Sequence, residues 1–462
     1  MNRAGIGALT IVSLAALLGL ASPAQLTRLQ PAGGNSHMGL LLTDIHLDPV
    51  TVNPRNPKFS ESDAIQLLEN TKIDDWPAQF VKFQTKIVRR DSASRVDANY
   101  PLVDAALKAA ADKALTGASF DYVIFTGDML RHDFPRVGGQ QQALARSAAA
   151  FVVRAMTRRF NAPVFAALGN NDSDRCDYGI EPYDPFLGAV ADEMTVLKGN
   201  TQVVKDANAD FRKGGYFILP HPTVANQDII VLNSNFWSKS YLTSYCGLSP
   251  DNSPGMEEMN WLDGRLSDAA KNHHGVTLVM HIPPGVDPYS SNPGSEDSLF
   301  FTPQFNDMFA AKIRTYKPLI PIVFAGHSHL DDFRSFDEVP GAPWRIGLAV
   351  SPWVGNDPGF STFSYDPKTA AVTDITTFTA APGSASFTRE YGFNDAYHVN
   401  GFSAANLDAI NSGFRTCKTN CADTKAFETY YKPGSSWSGS IKKYACAEKY
   451  FSAARVKSCI SQ

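Results

Sequence analysis

Histidine, aspartate and asparagine side chains stand directly after five separate apolar runs of this sequence, and four of its ten histidines take part. Imidazole and carboxylate groups bind borderline divalent ions such as zinc, iron and manganese, and one carboxylate can bridge two ions. The chemistry that such a set predicts is metal-assisted hydrolysis. The candidate ligands are Asp44, His46, Asp128, Asn170, His281, His327 and His329.

Each of these residues also has an ordinary structural explanation. Asn170 belongs to APVFAALGNNDSD, residues 162–174, and Asn and Asp are common in the turns that end strands. A single histidine is often a packing residue, and an aspartate after a strand often caps the next helix. The joint pattern, and no single residue, predicts the metal site.

The elements that must position these side chains are strands and helices in alternation. The apolar runs are continuous, which is typical of strands buried on both faces. Helical patterns lie between them at 101–115, 141–160 and 256–272, so the sequence predicts an α/β fold. In such folds the loops after the strands meet at one edge of the sheet, where scattered ligands can converge. If those loops are extended, alternation sends Asp44 and His46 to one side, and likewise His327 and His329.

Bulk properties exclude several classes of protein. The chain has 462 residues, of which 44% are apolar and 19% charged, and its formal net charge is −4. This composition indicates a folded globular protein. The length predicts one large domain, of the size usual for a catalytic domain, and a smaller additional part. The absence of a dense Lys/Arg stripe argues against a nucleic-acid partner.

The N-terminal segment, residues 1–24, has the layout of a secretory signal. Arg3 precedes an apolar stretch from about Ala4 to Leu20, and small residues follow it. A transmembrane anchor is the alternative, but the stretch is short and no second run approaches the length of a membrane span. The prediction is a secreted or periplasmic protein with no stable membrane anchoring after cleavage.

The remainder divides into two predicted parts. Residues 36–380 carry the strands and candidate ligands, whereas residues 381–462 contain no strand-like run and predict a small helical subdomain. Four of the six cysteines lie in this second part, and an export signal favours disulfides over the alternative of a zinc site.

The ordered motifs resemble those of the calcineurin-like metallophosphoesterase superfamily. They are D-x-H (Asp44, His46), G-D (Asp128), G-N (Asn170), a histidine (His281) and G-H-x-H (His327, His329). The segments GDMLRHDF, NWLDGRL, GHSHLDDFR and NDPGFSTFSYD are similar to the acid sphingomyelinase-like branch. The spacings of Cys417 with Cys421, and of Cys446 with Cys459, also resemble the terminal pairs of that branch.

This resemblance implies two central mixed β-sheets sandwiched by helices and a site for two divalent metal ions, zinc being expected and iron or manganese also fitting. By the resemblance, Asp44, His46, Asp128 and His329 hold one ion, and Asp128, Asn170, His281 and His327 hold the other. A hydroxide shared by the ions then attacks phosphorus in line.

Asn171 departs from the family pattern. Many relatives have G-N-H in this motif, where the histidine is a candidate acid for the leaving group, but this chain has G-N-N-D. Asparagine cannot donate the proton, so His132 becomes the first candidate for the acid, and Asp172 the second. G-N-N-D also resembles endopolyphosphatases of the wider family. The catalytic residues expected are therefore His132, Asp128 and Asn170.

The function expected is that of an exported, monomeric phosphoesterase cleaving phosphodiester or phosphoanhydride bonds in a small-molecule or polymeric phosphate substrate, such as a nucleotide or polyphosphate. One alternative is a sphingomyelin phosphodiesterase that releases phosphocholine. Another is a secreted binding protein in which the metals are structural.

Overall fold

The computed structural model of the chain describes residues 36–52, 59–88, 95–134, 141–243, 250–339, 341–436 and 439–462. The predicted signal segment, residues 1–24, lies outside these ranges, as does Cys246. In the described part of the chain, no helix combines the length and the apolar character needed to cross a bilayer.

The strands run through most of the described chain. In chain order they are β1 (Met38–Leu42), β2 (Leu47–Asp48), β3 (Ala98–Asn99), β4 (Tyr122–Phe125), β5 (Val164–Ala166), β6 (Phe217–Pro220), β7 (Gln227–Val231), β8 (Gly275–Val279), β9 (Val323–Ala325), β10 (Asp332–Arg334), β11 (Trp344–Ile346), β12 (Gly359–Tyr365), β13 (Val372–Ala380) and β14 (Phe387–Gly392).

Helices lie between most of the strands up to β9, although none separates β1 from β2 or β6 from β7, and a group of helices follows at the C-terminus. They are α1 (Glu61–Glu69), α2 (Trp76–Phe83), α3 (Tyr100–Ala111), α4 (Lys113–Thr116), α5 (Gln142–Phe160), α6 (Pro185–Ala191), α7 (Gln202–Gly214), α8 (Lys239–Leu242), α9 (Ser253–Asn272), α10 (Pro303–Tyr316), α11 (Phe393–Tyr397), α12 (Ala404–Thr416), α13 (Ala422–Tyr430), α14 (Ile441–Lys449) and α15 (Ala453–Ser461).

Two six-stranded mixed sheets form the centre of the molecule. The first has the order β14-β13-β12-β1-β4-β5, and the second has the order β10-β11-β9-β8-β7-β6. Strands β1, β4 and β5 are parallel in the first sheet, and β7, β8, β9 and β11 are parallel in the second. This arrangement confirms the predicted fold class.

The sheets pack face to face through an apolar interior. The rings of Phe324 on β9 and Phe363 on β12 have their centroids 4.9 Å apart. A buried polar contact also crosses the interior, because Arg345 on β11 donates to Ser361 Oγ on β12 at 3.2 Å. The loop after β8 reaches the loop after β4, where His281 Nδ1 lies 2.8 Å from the Thr126 carbonyl, so the carboxyl ends of the parallel strands in the two sheets meet at one edge of the sandwich.

One expectation about the C-terminal part is wrong. The sequence predicted no strand after about residue 381, yet Phe387–Gly392 forms β14 and pairs antiparallel with β13. β14 lies at the edge of its sheet and leaves Thr388 and Arg389 exposed, so it lacks the apolar run of a buried strand. Helices α11–α15 follow it, as expected, while the domain boundary at residue 380 stays a prediction.

Disulfides hold the C-terminal helices. Cys417 pairs with Cys421 and Cys446 pairs with Cys459, with Cα atoms 5.9 and 5.8 Å apart. These are the two pairs that the family resemblance implied. Cys176 is also disulfide-bonded.

Candidate metal centre

The seven predicted ligands lie together where the two sheets meet. Those of the first sheet follow β1, β4 and β5, and those of the second follow β8 and β9. Main-chain hydrogen bonds join the loops, for example Asp44 N–H to the Gly127 carbonyl at 2.9 Å and Gly326 N–H to the His281 carbonyl at 2.9 Å. The ligand positions are therefore fixed by the ends of the strands.

The left-handed backbone of these loops was not foreseen. Asp44, His46, Asp128, His327 and His329 all have positive φ, between 45° and 73°. The expectation of extended loops with alternating side chains is therefore wrong, although each pair of ligands still converges. Such angles are uncommon outside glycine, and they concentrate at functional sites.

Two glycines in the motifs allow the loops to approach closely. A Cβ on Gly169 would lie 2.0 Å from Asp128 Oδ1, and one on Gly326 would lie 2.2 Å from Thr43 Oγ1. Neither position has room for a side chain. This steric requirement explains the glycine that precedes Asn170 and the glycine that precedes His327.

One side of the centre, the first donor group, consists of Asp44, His46 and His329. The Nε2 atoms of the two histidines are 3.1 Å apart, and Asp44 Oδ1 lies 3.4 Å from His329 Nε2. Asp44 Oδ1 and His329 Nδ1 are buried without a hydrogen-bond partner. Together with Asp128, these residues place one ligand atom each within 4.8 Å of one another, which suits a metal ion.

The other side, the second donor group, consists of Asn170, His281 and His327. Asn170 Oδ1 lies 2.8 Å from His327 Nδ1 and 3.1 Å from His281 Nε2. Asp177 accepts a hydrogen bond from the Asn170 amide at 2.6 Å, so the amide oxygen is turned toward the two histidines. Oxygen and imidazole nitrogen again form a donor set suited to a divalent ion.

Asp128 lies between the two donor groups. Its Oδ2 atom is 3.3 Å from His46 Nε2 and 3.2 Å from His281 Nε2. Its Oδ1 atom accepts the Asn171 main-chain N–H at 2.8 Å, and Oδ2 faces the Asn171 amide nitrogen at 3.1 Å. Asn171 therefore orients the shared carboxylate, a role that the sequence motif did not reveal.

Main-chain carbonyls orient two of the imidazole rings. His46 Nδ1 lies 2.9 Å from the Leu130 carbonyl and His281 Nδ1 lies 2.8 Å from the Thr126 carbonyl. Each ring thus donates from Nδ1 and directs Nε2 into the centre, as metal-binding histidines commonly do.

The electrostatics of the centre favour a bound cation. Burial lowers the pKa of His46 and of His281, because it disfavours the charged imidazolium. The nearby Asp128 carboxylate outweighs this effect and raises the pKa of both residues to about 9. Burial likewise disfavours the Asp44 carboxylate, but His329 and His46 hold its pKa below the usual range. Buried carboxylates that stabilise positive charge in this way also stabilise divalent ions.

His132 lies beside the first donor group. Its ring stacks on His46 with centroids 4.0 Å apart, and Trp353 stacks on its other face at 3.9 Å. Asp97 accepts from His132 Nδ1 at 2.8 Å and from its main-chain N–H at 3.0 Å. Burial, followed by the neighbouring His46, lowers the pKa of His132. Nothing in the sequence around Asp97 or Trp353 pointed to these contacts.

Asp172, the second acid candidate, makes a different set of contacts. Its two carboxylate oxygens accept main-chain N–H groups from both ligand loops, at 2.7 to 3.3 Å. Burial, and then the Asp128 charge, raises the pKa of Asp172 to about 7. All its hydrogen bonds go to the protein, so Asp172 ties the two loops together. The donors are the N–H groups of Asp128, Met129, Leu130 and Gly169.

With the fold and the centre described, the chain can be placed among known proteins. The calcineurin-like phosphoesterase family model matches residues 40–331, so the chain belongs to that family of metal-dependent phosphoester hydrolases. This match confirms the predicted enzyme class.

The relatives point to one branch of that family. Acid sphingomyelinase-like phosphodiesterase 3b from Homo sapiens is 27% identical over 361 residues, which cover 72% of this chain and 73% of the relative. Cyclic GMP-AMP phosphodiesterase SMPDL3A from Mus musculus is 27% identical over 59% of this chain and 60% of its own length. Sphingomyelinase phosphodiesterase D from Dictyostelium discoideum is 27% identical over 63% and 64%. The predicted acid sphingomyelinase-like branch is thereby supported.

Proposed function

We propose that the protein is an exported phosphodiesterase or phosphoanhydride hydrolase that acts on nucleotide-type or polyphosphate substrates with two divalent metal ions. The observation that carries the proposal is the arrangement of two donor groups around the shared Asp128 carboxylate, with His132 beside one of them. When bound, two ions supply charge stabilisation and an activated water for in-line displacement at phosphorus.

The chain's own residues would orient the reaction. The first donor group with Asp128 would hold one ion, and the second donor group with Asp128 would hold the other, zinc being expected. As the bond from phosphorus to the leaving oxygen breaks, the imidazolium form of His132 would donate the proton on its second ring nitrogen to that oxygen; because burial lowers the pKa of His132, this form is populated mainly at acidic pH. Asp97, which accepts from Nδ1 at 2.8 Å, fixes the ring orientation for this transfer.

Export is supported by the disulfides, which persist in oxidising compartments. One relative is named a cyclic GMP-AMP phosphodiesterase, which favours a nucleotide substrate. Another is named a sphingomyelinase phosphodiesterase, which keeps sphingomyelin as the second candidate.

A substrate panel tests the proposal. Metal-loaded protein is incubated with bis(p-nitrophenyl) phosphate, ATP, polyphosphate and sphingomyelin, and product is measured by absorbance, phosphate release or phosphocholine release. Turnover of the soluble compounds without the lipid supports the proposed function. Phosphocholine release alone would select the sphingomyelinase alternative, and no turnover of any compound would favour a binding protein.

His132→Ala is expected to lower kcat/KM by about 10²–10⁴-fold for diesters whose leaving group is a poorly stabilised alkoxide, since general-acid catalysis contributes about that much. For a p-nitrophenolate leaving group, which needs little protonation, the loss should be under about tenfold. Rates with both leaving groups measure the difference.

His274→Ala is the matched control for this substitution. His274 pairs with Asp228 at 2.8 Å, as His132 pairs with Asp97, but it lies just before β8, at the end of that strand opposite the donor groups. Equal losses with both leaving groups in His132→Ala would contradict the proton-donor role.

Removal of divalent metal is expected to lower the apparent Tm, and added zinc or manganese should restore it. An ion present at 100 times its Kd stabilises the folded state by about 2.7 kcal/mol. Differential scanning calorimetry after chelation and dialysis measures the shift. The change in Tm on metal removal should be smaller in His281→Ala than in the wild-type protein. If the two changes are equal, the stabilising ion binds at a site that does not include His281.

A further inference from the structure

A polar segment, residues 233–235, follows β7 and lies between the loops that carry Asn170 and His281. Its side chains are Asn233, Ser234 and Asn235, and all three are buried. Buried polar groups cost free energy unless they are hydrogen-bonded. The hydrogen bonds that these side chains make therefore show what the segment holds in place.

Asn235 holds the loop that carries Asn170. Its side-chain nitrogen Nδ2 donates to the Gly169 carbonyl at 3.0 Å, and Gly169 directly precedes Asn170. This loop follows β5 of the first sheet, whereas Asn235 follows β7 of the second. The hydrogen bond therefore joins the two sheets where Asn170 must face the histidines of the second donor group.

Ser234 holds the loop that carries His281. The Ser234 hydroxyl accepts the main-chain N–H of Ile282 at 2.8 Å, and Ile282 directly follows His281. Two adjacent residues of one segment thus fix the main chain beside Asn170 and beside His281. These two candidate ligands come from different sheets, so their relative position depends on segment 233–235.

Two helices hold the segment in turn. Glu258 of α9 accepts the Asn233 N–H at 2.7 Å through Oε1, and Asn233 Nδ2 donates to the Gly214 carbonyl of α7 at 2.9 Å. Asn233 Oδ1 also accepts from Asn235 Nδ2 at 3.0 Å, which orients the Asn235 amide. Burial raises the pKa of Glu258 well above its usual range, which favours the uncharged carboxyl.

We propose that Ser234, Asn235 and Glu258 are positioning residues for the ion of the second donor group. The proposal rests on the proposed two-metal function and adds residues that hold the ligand loops without being ligands. Replacing residues of this kind commonly weakens metal binding by about 10–100-fold. The Asp44 loop is held differently, by its main-chain bond to the Gly127 carbonyl, so the ion of the first donor group should bind as before.

Zinc binding measured by isothermal titration calorimetry, in a buffer containing a competing chelator, tests the proposal without requiring turnover. Asn235→Ala and Ser234→Ala are each expected to weaken one of two binding events by about 10–100-fold and to leave the other within about threefold. Unchanged zinc affinity in either variant, or equal weakening of both events, would overturn the proposal.

Asn411→Ala is the matched control for Asn235→Ala. Asn411 is also buried, and its Nδ2 also donates to a main-chain carbonyl, that of Ala445 at 2.8 Å, but it lies on α12 among the C-terminal helices. This variant should lower the Tm by a similar amount without changing either zinc affinity. If both variants lose zinc affinity equally, the loss reflects general destabilisation and the positioning role is wrong.

Glu258→Gln and Glu258→Leu separate the hydrogen bond of this side chain from its packing. The amide oxygen of a glutamine can still accept the Asn233 N–H, so Glu258→Gln should keep the zinc affinity of the wild-type protein. A leucine leaves that buried N–H without an acceptor and should cause the same selective loss as Asn235→Ala. Equal losses in the two Glu258 variants would contradict a role for this hydrogen bond.

Turnover measured on the same samples distinguishes this proposal from the proposed function. If the wild-type protein binds two zinc ions but hydrolyses no phosphoester, the hydrolase function is contradicted and the positioning role stands on the titrations. If the variants keep both the zinc affinity and the turnover of the wild-type protein, the positioning role is overturned and the hydrolase function stands.

Discussion

Asp128→Asn is expected to reduce phosphodiester turnover by about 10³-fold or more, and to lower the amount of metal bound per chain below that of the wild-type protein. The carboxylate oxygen Oδ2 lies 3.3 Å from His46 Nε2 and 3.2 Å from His281 Nε2. An asparagine amide keeps the shape but removes the negative charge that both donor groups share. Steady-state kinetics and elemental analysis of the purified variant measure the two effects.

The folded structure should survive this substitution. The Asn171 N–H donates to Asp128 Oδ1 at 2.8 Å, and the carbonyl oxygen of an asparagine can accept that bond. Asp268→Asn, an exposed change of the same type on α9, is the matched control and should leave turnover and metal content unchanged. If Asp128→Asn kept turnover within tenfold of the wild-type value, the proposed role of Asp128 as the carboxylate shared by both donor groups would be contradicted.

Asp172→Asn is expected to lower the free energy of unfolding by about 3 kcal/mol. The Asp172 carboxylate accepts four main-chain N–H groups at 2.7 to 3.3 Å. An asparagine would turn an NH₂ donor toward two of those N–H groups and leave them buried without an acceptor. Urea unfolding, followed by tryptophan fluorescence, measures the change.

Ser173→Ala is the comparison for this prediction. The Ser173 hydroxyl donates to the Gly179 carbonyl at 2.8 Å and accepts the Arg175 N–H at 3.0 Å, so its loss should cost about 1–2 kcal/mol. If Asp172→Asn costs no more than Ser173→Ala, the four hydrogen bonds do not hold the two ligand loops together.

The ends of the buried strands were predictable because each is marked by a local sequence pattern, a continuous apolar run followed by polar residues. β4 is the fully buried run Tyr122–Phe125, and Asp128 follows three residues later. β14 lies at the edge of its sheet and is only partly buried, so its sequence lacks the continuous apolar run by which a buried strand is recognised. Burial on both faces is what makes a strand recognisable in the sequence.

The residues of the candidate metal centre were predictable by type, but their backbone geometry was not. A convergent set of His, Asp and Asn after buried strands points to a metal centre whichever way the loops turn. The positive φ angles at Asp44 and His46 depend on contacts between loops, such as Asp44 N–H to the Gly127 carbonyl. No spacing rule along a single segment contains that information.

Residues that support the ligands were missed for the same reason. Asp97 is 35 positions before His132, and Asp177 orients Asn170 from a separate turn. Each makes its contact through the folded chain, and neither aspartate stands in a recognisable sequence motif. Long-range partners of this kind become visible only with the tertiary structure.

The packing of the last helices against residues 286–299, which follow the His281 loop, has an evolutionary consequence. Val286 and Leu299 lie in one buried cluster with the Cys446–Cys459 disulfide, and Lys443 of α14 donates to the Ser290 carbonyl at 2.9 Å. The ligands lie within residues 40–331, which the family model matches, whereas Lys443 and the Cys446–Cys459 disulfide lie beyond that range. Substitutions in the C-terminal helices can therefore reshape residues 286–299, beside the centre, without changing a single candidate ligand. Substrate preference in such a chain can diverge at the C-terminus while the hydrolytic chemistry is inherited unchanged.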